Sequence, residues 1–567
     1  MLRYPSAQTP PPIRMRPSLV LSSVSVSLGL ALALPAAAQI AQPGLPPSAQ
    51  HALPPLDVPT YVLPQPDVET LKKEDAERQN WPMRYGAVIP TAYSSEDSGA
   101  WETMPSGELV WRIHIASPGA RSLGLLFDRF ELPASGRVFL YDRARSTVLG
   151  AFTRETRQPN GKLAVQPLLG DELWVEYAQA AGDPAPQLRI GEVVHDYVGI
   201  LDELRVEEPL ALMGAGCLVD ANCPEAKPYY DVKSAVMMVL MGGGLCSAGL
   251  LNDTAGDGTP YFLTANHCGD MTNVVAVFDY ERSGCGAGAS SQSHTISGAT
   301  LLAASPTYDS QLYRLSSAPP KPYKPFYAGW DRHSTQPKKS ISISHPSGNP
   351  RKFAMDTQAP KSQATRFQVF WTTGTIEGGS SGSPLFNADK HVIGPACCVT
   401  NFVCGNQTTW YGRFDLFYST ENLGQWLDPL GTDPLEIEGF DPFRGQAFPY
   451  NGSNSNPVVY YSTSSPTVGT TWSAVIDPSF LNLPMVTSIL GYPAPSSGIF
   501  RPEGELLVDF TRPRLFRSNL VSGGGPVEHS NAIPNISALI GVTVYTQGLL
   551  TVSGGKALLN GLELRMR

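Results

Sequence analysis

The sequence predicts an all-β protein in which several β-rich domains follow one another along the chain. Glycine and proline are abundant, with 53 and 52 of the 567 residues, and only 16% of the residues are charged. This composition favours short strands and turns over long helices. The chain is also too long for one hydrophobic core, so we expect about three domains.

The charge balance bears on the class of partner. The formal net charge is -9 and the isoelectric point is about 5.6. No basic stripe that could follow a phosphate backbone stands out in the sequence. We therefore expect no nucleic-acid partner.

The N-terminus has the pattern of an export signal. Arg14 and Arg16 precede an apolar run over residues 19–34, and three alanines at 36–38 offer a small-residue cleavage site. The apolar run is short and interrupted by serines, which disfavours a membrane-spanning helix. We predict a signal peptide over 1–38, no transmembrane segment in the mature form, and a secreted, periplasmic or cell-surface location.

Residues 39–211 are predicted to form a proline-rich linker and a β-rich pro-domain. Proline is frequent up to about residue 68, and alternating apolar residues then indicate strands. The clearest of these runs are 108–115, 122–127, 137–141 and 172–177. The segment has no cysteine and no cluster of catalytic residue types. We expect it to assist folding or to block the active site of the domain that follows.

Residues 212–446 hold every cysteine of the chain. They are Cys217, Cys223, Cys246, Cys268, Cys285, Cys397, Cys398 and Cys404. An even number in one exported segment indicates disulfides. Zinc is the competing use of cysteine, but two paired Cys-x-x-Cys spacings are missing. We predict no metal site and no cofactor.

The candidate nucleophile is Ser381. Residues 374–386 read Gly-Thr-Ile-Glu-Gly-Gly-Ser-Ser-Gly-Ser-Pro-Leu-Phe, a run of small residues that lets backbone approach a substrate closely. A serine that attacks a carbonyl needs main-chain N–H groups at the developing oxyanion. Gly379 and Ser381 are the natural donors for that oxyanion hole.

A serine nucleophile needs a base and a carboxylate. His267 follows the apolar run Tyr-Phe-Leu-Thr, so it is predicted to lie at a strand end next to Cys268. Asp309 is the preferred carboxylate because it begins the strand-like run 309–315 at the edge of a core. The sequence leaves three other carboxylates open. These are Asp279, Asp331 and Asp356.

These residues carry a family resemblance. Ala-Asn-His-Cys at 265–268 and Gly-Ser-Ser-Gly-Ser-Pro at 379–384, in the order His267, Asp309, Ser381, resemble the chymotrypsin-fold serine proteases. Gly-Cys-Leu-Val-Asp-Ala-Asn-Cys-Pro-Glu from residue 216 and Tyr-Gly-Arg from residue 411 are similar to the bacterial lysyl endopeptidase branch. The resemblance implies two packed six-stranded β-barrels and a serine endopeptidase that forms an acyl-enzyme. We expect a monomer that acts on protein or peptide substrates.

The resemblance also implies a disulfide pattern. Cys246 would join Cys268, and Cys223 would join Cys285. Cys217 would reach Cys404 or one of two adjacent cysteines, Cys397 and Cys398, which the family pattern lacks. Of these three late cysteines, two must find each other or stay free.

The primary specificity pocket departs from the branch. Lysyl endopeptidases carry an aspartate just before Tyr-Gly-Arg, where this chain has Thr409, and Thr375 on the expected pocket floor is also neutral. Burying a lysine ammonium without a charge partner is costly. We therefore predict a preference that is not restricted to lysine; strict cleavage after basic residues would require Glu377 or Asp415 to supply the charge.

Residues 447–567 are predicted to form a C-terminal accessory domain. The composition shifts to Ser, Thr, Asn and Gly without cysteine, and strand-like runs resemble the β-modules appended to secreted bacterial proteins. These runs are 458–461, 472–476, 505–509, 541–545 and 562–566. We expect a β-sandwich-like fold with a role in anchoring, substrate contact or secretion.

Two other function classes fit parts of the sequence. An α/β-hydrolase-type esterase would use Ser380 within Gly-Gly-Ser-Ser-Gly, but that fold needs a helix directly after the serine, where Pro384 follows instead. An inactive binding protein on a protease scaffold is the other alternative, and the intact histidine, aspartate and serine disfavour it.

Overall fold

The computed structural model describes residues 44–50, 58–77, 82–201, 217–334, 337–400, 407–481 and 483–567. The predicted signal peptide at 1–38 lies outside these residues, as do the start of the predicted protease segment at 212 and Cys404. Strands dominate the described chain, and the prediction of an all-β protein is confirmed. In the described chain, no helix has the length and apolar character needed to cross a membrane.

The region before residue 202 contains eleven described strands and two short helices. The strands are β1 Thr60–Val62, β2 Met83–Arg84, β3 Gly86–Ser94, β4 Ala100–Thr103, β5 Leu109–Ala116, β6 Ser122–Glu131, β7 Arg137–Tyr141, β8 Val148–Phe152, β9 Leu163–Leu169, β10 Glu172–Gln179 and β11 Gln187–Asp196. The helices are α1 Pro47–Gln50 and α2 Val68–Glu77. One sheet has the order β1-β5-β10-β7-β8 with β4 beside β5, and the other has the order β3-β11-β6-β9. Buried Trp111, Phe127 and Tyr177 belong to the core of this region.

The cysteine-containing region builds two larger sheets. Its strands are β12 Val219–Asp220, β13 Val236–Met241, β14 Gly244–Leu251, β15 Tyr261–Thr264, β16 Val275–Val277, β17 Thr295–Ser297, β18 Ala299–Ser305, β19 Ser310–Leu315, β20 Trp330–Asp331, β21 Ser340–Ser344, β22 Lys352–Asp356, β23 Lys361–Ser362, β24 Arg366–Phe370, β25 Pro384–Phe386, β26 Val392–Val399, β27 Thr408–Gly412 and β28 Glu436–Ile437. Two helices, α3 Phe414–Thr420 and α4 Gly424–Leu427, follow β27. The sheet order is β17-β16-β13-β14-β15-β19-β18 in the first sheet and β12-β22-β21-β25-β26-β27-β24-β23 in the second, where β20 pairs with β26 and β28. One buried cluster that contains Val239, Leu263, Ile341 and Phe353 joins the two sheets.

Residues from 446 onward form three further antiparallel sheets. Their strands are β29 Gln446–Tyr450, β30 Tyr460–Ser462, β31 Thr471–Ile476, β32 Met485–Tyr492, β33 Pro495–Arg501, β34 Gly504–Val508, β35 Phe516–Ser522, β36 Val527–Ala532, β37 Thr543–Val552 and β38 Gly555–Arg565. The sheet orders are β29-β38-β37-β32-β35, β30-β31-β36 and β33-β34. Trp472, Ile489 and Leu559 are buried in one cluster, so residues from different sheets share a core.

Several short 3-10 helices connect the strands. They are Arg154–Thr156, Pro224–Tyr229, Val232–Ala235, Asn266–Cys268, Lys321–Tyr323, Pro346–Gly348 and Ser537–Leu539. The turn at Asn266–Cys268 follows β15 directly and carries His267. It therefore fixes where the histidine leaves the sheet.

The N-terminal region packs directly on the first sheet of the cysteine-containing region. β2 pairs antiparallel with β14, with Arg84 opposite Gly244 and Met83 opposite Leu245. Tyr85 shares a buried cluster with Leu245. Main-chain pairing and apolar burial together hold β2 against the first residues of β14.

Candidate active site

Two neighbouring strands position the histidine and the aspartate. β15 and β19 are antiparallel, with Thr264 at the end of β15 opposite Gln311 near the start of β19. His267 lies three residues beyond that end, and Asp309 immediately precedes β19. The two side chains therefore emerge side by side at one edge of the sheet.

Asp309 holds His267 through two hydrogen bonds. One carboxylate oxygen accepts the main-chain N–H of His267 at 2.8 Å, and the other lies 2.8 Å from Nδ1 of the ring. Asp309 is buried, and the Nε2 atom of His267 is buried without a hydrogen-bond partner among the described residues. This arrangement fixes the ring and leaves Nε2 available to a further group.

The three other carboxylates left open by the sequence contact different groups. Asp279 pairs with Lys324, and Asp331 lies beside His333. Asp356 accepts two main-chain N–H groups, those of Gln358 and Phe370. Asp309 is the carboxylate that the structure brings to His267.

The loop that carries Ser381 packs against the strand end that precedes His267. A Cβ atom at Gly382 would lie 2.1 Å from Thr264 Oγ1 and 2.9 Å from the main-chain nitrogen of Ala265. Gly382 also has a φ of +81°, a left-handed conformation that glycine adopts without strain. The residue after Ser381 must therefore be small for the two loops to approach this closely.

Ser247 fixes the same loop from β14. Its main-chain N–H donates to the carbonyl of Ser381 at 2.8 Å, and its hydroxyl donates to the carbonyl of Gly379 at 2.9 Å. The hydroxyl also accepts the main-chain N–H of His345. Sequence reasoning assigned Ser247 no role, because these contacts join segments more than 90 residues apart.

The candidate oxyanion donors have free N–H groups in the described structure. No hydrogen bond among the described residues uses the main-chain N–H of Gly379 or Ser381 as donor. Gly379 has a φ of +90°, and a Cβ atom there would lie 2.6 Å from a Leu245 methyl carbon. Glycine is thus required at this position, and two N–H groups remain free to meet an oxyanion.

Ser381 opens into a cavity of about 400 Å³. Its lining includes Glu377, Cys397 and Cys398 of the cysteine-containing region and also Met83 and Arg84 of β2. The volume lies within the range of ligand pockets, which is about 300–1,000 Å³. The cleft beside the serine is therefore partly formed by the N-terminal region.

Burial shapes the electrostatics of this cleft. Burial raises the pKa of the Glu377 carboxyl, although a hydrogen bond from the Ser347 hydroxyl acts in the opposite direction. The other carboxylate oxygen of Glu377 is buried without a partner among the described residues. Burial, followed by the charge of Arg351, lowers the pKa of His345 to about 3, so this imidazole stays neutral behind Gly379.

Thr375 and Thr409 are the residues predicted to line the primary specificity pocket. Thr375 is buried and donates to the Gln407 side chain at 2.8 Å, and Thr409 is fully buried in β27. Neither is among the residues that line the cavity. Asp415 is paired with Arg413, whereas Glu377 reaches the cavity itself.

The cysteines form a bridged set. The structure pairs Cys246 with Cys268 and Cys223 with Cys285, the two pairings that the resemblance implies. Cys397 and Cys398 are joined to each other, and Cys217 is disulfide-bonded. Cys404, one of the partners expected for Cys217, lies outside the described residues. The bond between two adjacent residues places a compact sulfur surface in the cleft wall.

Comparison with known proteins identifies the class of this region. A family model described as "Lysyl endopeptidase, C-terminal domain" matches residues 214–412. Lysyl endopeptidase of Pseudomonas aeruginosa is 26% identical over 346 residues, which cover 55% of this chain and 72% of that protein.

Two solved structures are also similar. The scabies mite inactivated protease paralogue S-I1 has a TM-score of 0.27 and 14% identity over 35% of this chain and 98% of that chain. The active form of the Rv3671c protease from M. tuberculosis has a TM-score of 0.24 and 12% identity over 34% of this chain and 80% of that chain.

The family match and the curated relative support a protease-like domain of the chymotrypsin fold over the matched residues. Within that fold, the domain lies near the lysyl endopeptidase branch, and the resemblance inferred from the sequence is confirmed. The chain is thus related to protein-cleaving hydrolases.

Proposed function

We propose that the protein is an exported serine endopeptidase in which His267, Asp309 and Ser381 form the catalytic triad. The observation that carries the proposal is the pair of 2.8 Å contacts from Asp309 to His267. They orient the ring so that Nε2 is the nitrogen left without a partner. The base therefore presents its free nitrogen at the strand end on which the Ser381 loop packs.

In the proposed reaction, the Ser381 hydroxyl attacks the carbonyl carbon of a peptide bond and His267 Nε2 takes its proton. Asp309 holds the required tautomer and stabilises the imidazolium. The N–H groups of Gly379 and Ser381 bind the oxyanion. His267 then protonates the leaving amine, and water releases the acyl group by the same steps in reverse.

A fluorophosphonate probe distinguishes this proposal from the two alternatives. The probe should react with Ser381, because that is the hydroxyl proposed to give its proton to His267. Label on Ser380 would indicate a hydrolase of the other class, and an unlabelled chain would indicate a binding protein. Two observations favour Ser381. Ser380 is fully buried, and the segment after the serine is a strand, β25, rather than a helix.

Export is part of the proposal. Three described disulfides suit an oxidising compartment outside the cytoplasm. Together with the signal pattern in the sequence, they support secretion or a periplasmic or cell-surface location. We propose that the enzyme acts there as a monomer on protein or peptide substrates, with residues 39–211 as pro-domain and 447–567 as accessory domain.

The contacts of β2 support a blocking role for the pro-domain. Met83 and Arg84 line the cavity that contains Ser381, and their strand pairs with the edge of β14. Arg84 forms an ion pair with Asp75 of α2 at 2.8 Å and donates a hydrogen bond to the main-chain carbonyl of Leu71, also in α2. A peptide substrate would have to share this space, so the attached pro-domain should hinder access to the serine.

Weakening the contacts between β2 and α2 should raise the activity of the chain that still carries the pro-domain. Arg84→Ala removes the ties between β2 and α2, so the variant should cleave a small amide substrate faster than the wild-type chain at equal concentration. Lys73→Ala is the matched control, because Lys73 is an exposed cation of α2 that makes no described ion pair. Equal activity in both variants and in wild type would contradict a blocking role for this segment.

We further propose that the preference at the cleaved bond is not restricted to lysine. Thr375 and Thr409 are neutral and do not line the cavity, so neither would give a cationic side chain a charged partner. The second candidate is a preference for lysine or arginine. Glu377 favours it, because its carboxylate reaches the cavity and one carboxylate oxygen has no hydrogen-bond partner among the described residues. Its raised pKa reduces the charge that it would offer to a lysine.

A substrate series separates these two candidates. The values of kcat/KM for amides that end in Lys should not exceed those for amides that end in Ala, Leu or Phe, and Glu377→Gln should leave that ranking unchanged. Strict cleavage after Lys or Arg in wild type, lost in Glu377→Gln, would instead assign basic specificity to Glu377.

A further inference from the structure

A cluster of carboxylates and imidazoles lies at the junction of β20, β26 and β28. Asp331 ends β20 and stands opposite Glu436 of β28, and His391 directly precedes β26, whose first residue pairs with Trp330. His333 follows β20 by two residues, and Glu438 follows Glu436 by two residues. We call the five residues the histidine–carboxylate cluster; they are Asp331, His333, His391, Glu436 and Glu438.

Three members already have the spacing of metal ligands. One ligand atom from each of Asp331, His333 and Glu436 lies within 4.8 Å of the other two. His333 Nδ1 is 2.7 Å from an Asp331 oxygen and 3.9 Å from Glu436 Oε2. Small movements of these partly exposed side chains would let all three contact one ion placed between them.

His391 provides an independent sign that this cluster can bind a ligand. Its side chain is only 4% exposed, and neither ring nitrogen has a hydrogen-bond partner among the described residues. Nδ1 is 3.7 Å from Glu436 Oε2, and Nε2 is 3.5 Å from Glu438 Oε2. Buried imidazole nitrogens are normally paired, so both nitrogens face acceptors at a distance that leaves them unsatisfied.

The surroundings match the support that metal ligands usually receive. A histidine that binds a metal typically turns its second ring nitrogen toward a carboxylate. The Glu438 carboxylate faces Nε2 of His391 in this way. A ligating carboxylate is typically held by a hydrogen bond, and the Asn387 amide donates to Asp331 at 2.9 Å. The inner and outer groups of a metal site are therefore both present.

We propose that the cluster binds one zinc ion through Asp331, His333, Glu436 and the Nδ1 atom of His391. Two imidazoles and two carboxylates make a four-coordinate nitrogen and oxygen set that suits zinc. Calcium prefers six to eight oxygen ligands, and magnesium also prefers oxygen, so two imidazoles disfavour both. The carboxylates balance the charge of the ion. Glu438 then orients His391 as a positioning residue.

The ion would tie together three segments that are distant in sequence. These are the end of β20, the turn before β26 and the strand β28, which leads into β29. The site contains no member of the proposed triad. Its expected effect is to stabilise the fold, with zinc binding to the folded chain and raising its unfolding temperature.

Zinc binding to the chelator-treated full chain tests the proposal. The wild-type protein, inactivated by a fluorophosphonate, should bind about one equivalent of zinc in equilibrium dialysis and should unfold at a higher temperature with zinc than without. Glu436→Gln and His333→Gln should each weaken zinc binding by at least about tenfold. Both side chains are more than one third exposed, at 55% and 37%, so the variants should still fold.

Two controls assign the ion to the cluster. Glu225→Gln makes the same change at an exposed glutamate outside the cluster and should bind zinc as wild type does. His267→Ala should also retain zinc, which shows that the triad imidazole is not the ligand. Absence of zinc binding in wild type, or equal affinity in wild type and both cluster variants, would overturn the proposal and leave an ion-pair cluster of histidine and glutamate.

Discussion

Ser381→Ala should lower kcat for a peptide amide by about 10⁶-fold. The hydroxyl is the only group proposed to bond to the substrate carbonyl, and its loss removes the covalent route altogether. The fold should be retained, because Ser381 is held through its main chain, whose carbonyl accepts from Ser247. Steady-state kinetics on the processed enzyme, with circular dichroism to check folding, measure the effect.

Ser380→Ala is the matched control at the adjacent residue. Ser380 Oγ accepts a hydrogen bond from the Ser344 hydroxyl at 3.0 Å and is fully buried. Its loss should cost about 1–3 kcal/mol of stability through an unpaired partner, while leaving the nucleophile in place. Near wild-type activity in Ser381→Ala, or a complete loss confined to Ser380→Ala, would refute the assignment of the nucleophile.

Asp309→Asn should lower kcat by about 10⁴-fold. The asparagine oxygen can still accept the His267 main-chain N–H, but its amide would face Nδ1 with a donor. The ring must then carry its proton on Nε2, where it cannot accept the proton of Ser381. The expected signature is a large fall in kcat with a small change in KM, measured over a range of pH.

Asp279→Asn is the control for this substitution. Asp279 pairs with Lys324, whose side chain is 69% exposed, and such surface pairs contribute at most about 1 kcal/mol. This variant should keep the activity of wild type. If the two substitutions lowered kcat equally, Asp309 would have no special place in the reaction.

The strand pattern of the fold could be predicted because alternation is a local property. The run 137–141 predicts a strand, and β7 covers Arg137–Tyr141. The run 541–545 also predicts a strand, but β37 continues to Val552 because β38 pairs with it from Thr543 to Val552 and β32 pairs with it from Tyr545 to Thr551. Strand ends depend on such neighbours, which a single sequence does not reveal.

Much of the candidate site was also visible in the sequence, because its residues stand at strand ends with characteristic neighbours. This pattern points to His267 as the base and Asp309 as its carboxylate, and the structure brings the two side chains together. The positions of Met83 and Arg84 in the cleft wall could not be predicted from the sequence. Both depend on how distant segments pack around one cavity, and no local pattern marks that contact.

The three described disulfides differ in what they can do for the unfolded chain. A bridge restricts the unfolded ensemble more as the loop it closes grows longer, and in that picture Cys223–Cys285, with a separation of 62 residues, contributes about 4 kcal/mol. Cys246–Cys268, with a separation of 22 residues, contributes about 3 kcal/mol. The bridge between Cys397 and Cys398 spans a separation of 1 residue and closes almost no loop. It therefore removes little entropy from the unfolded chain, and its effect is confined to the rigidity and shape of the peptide that borders the cleft.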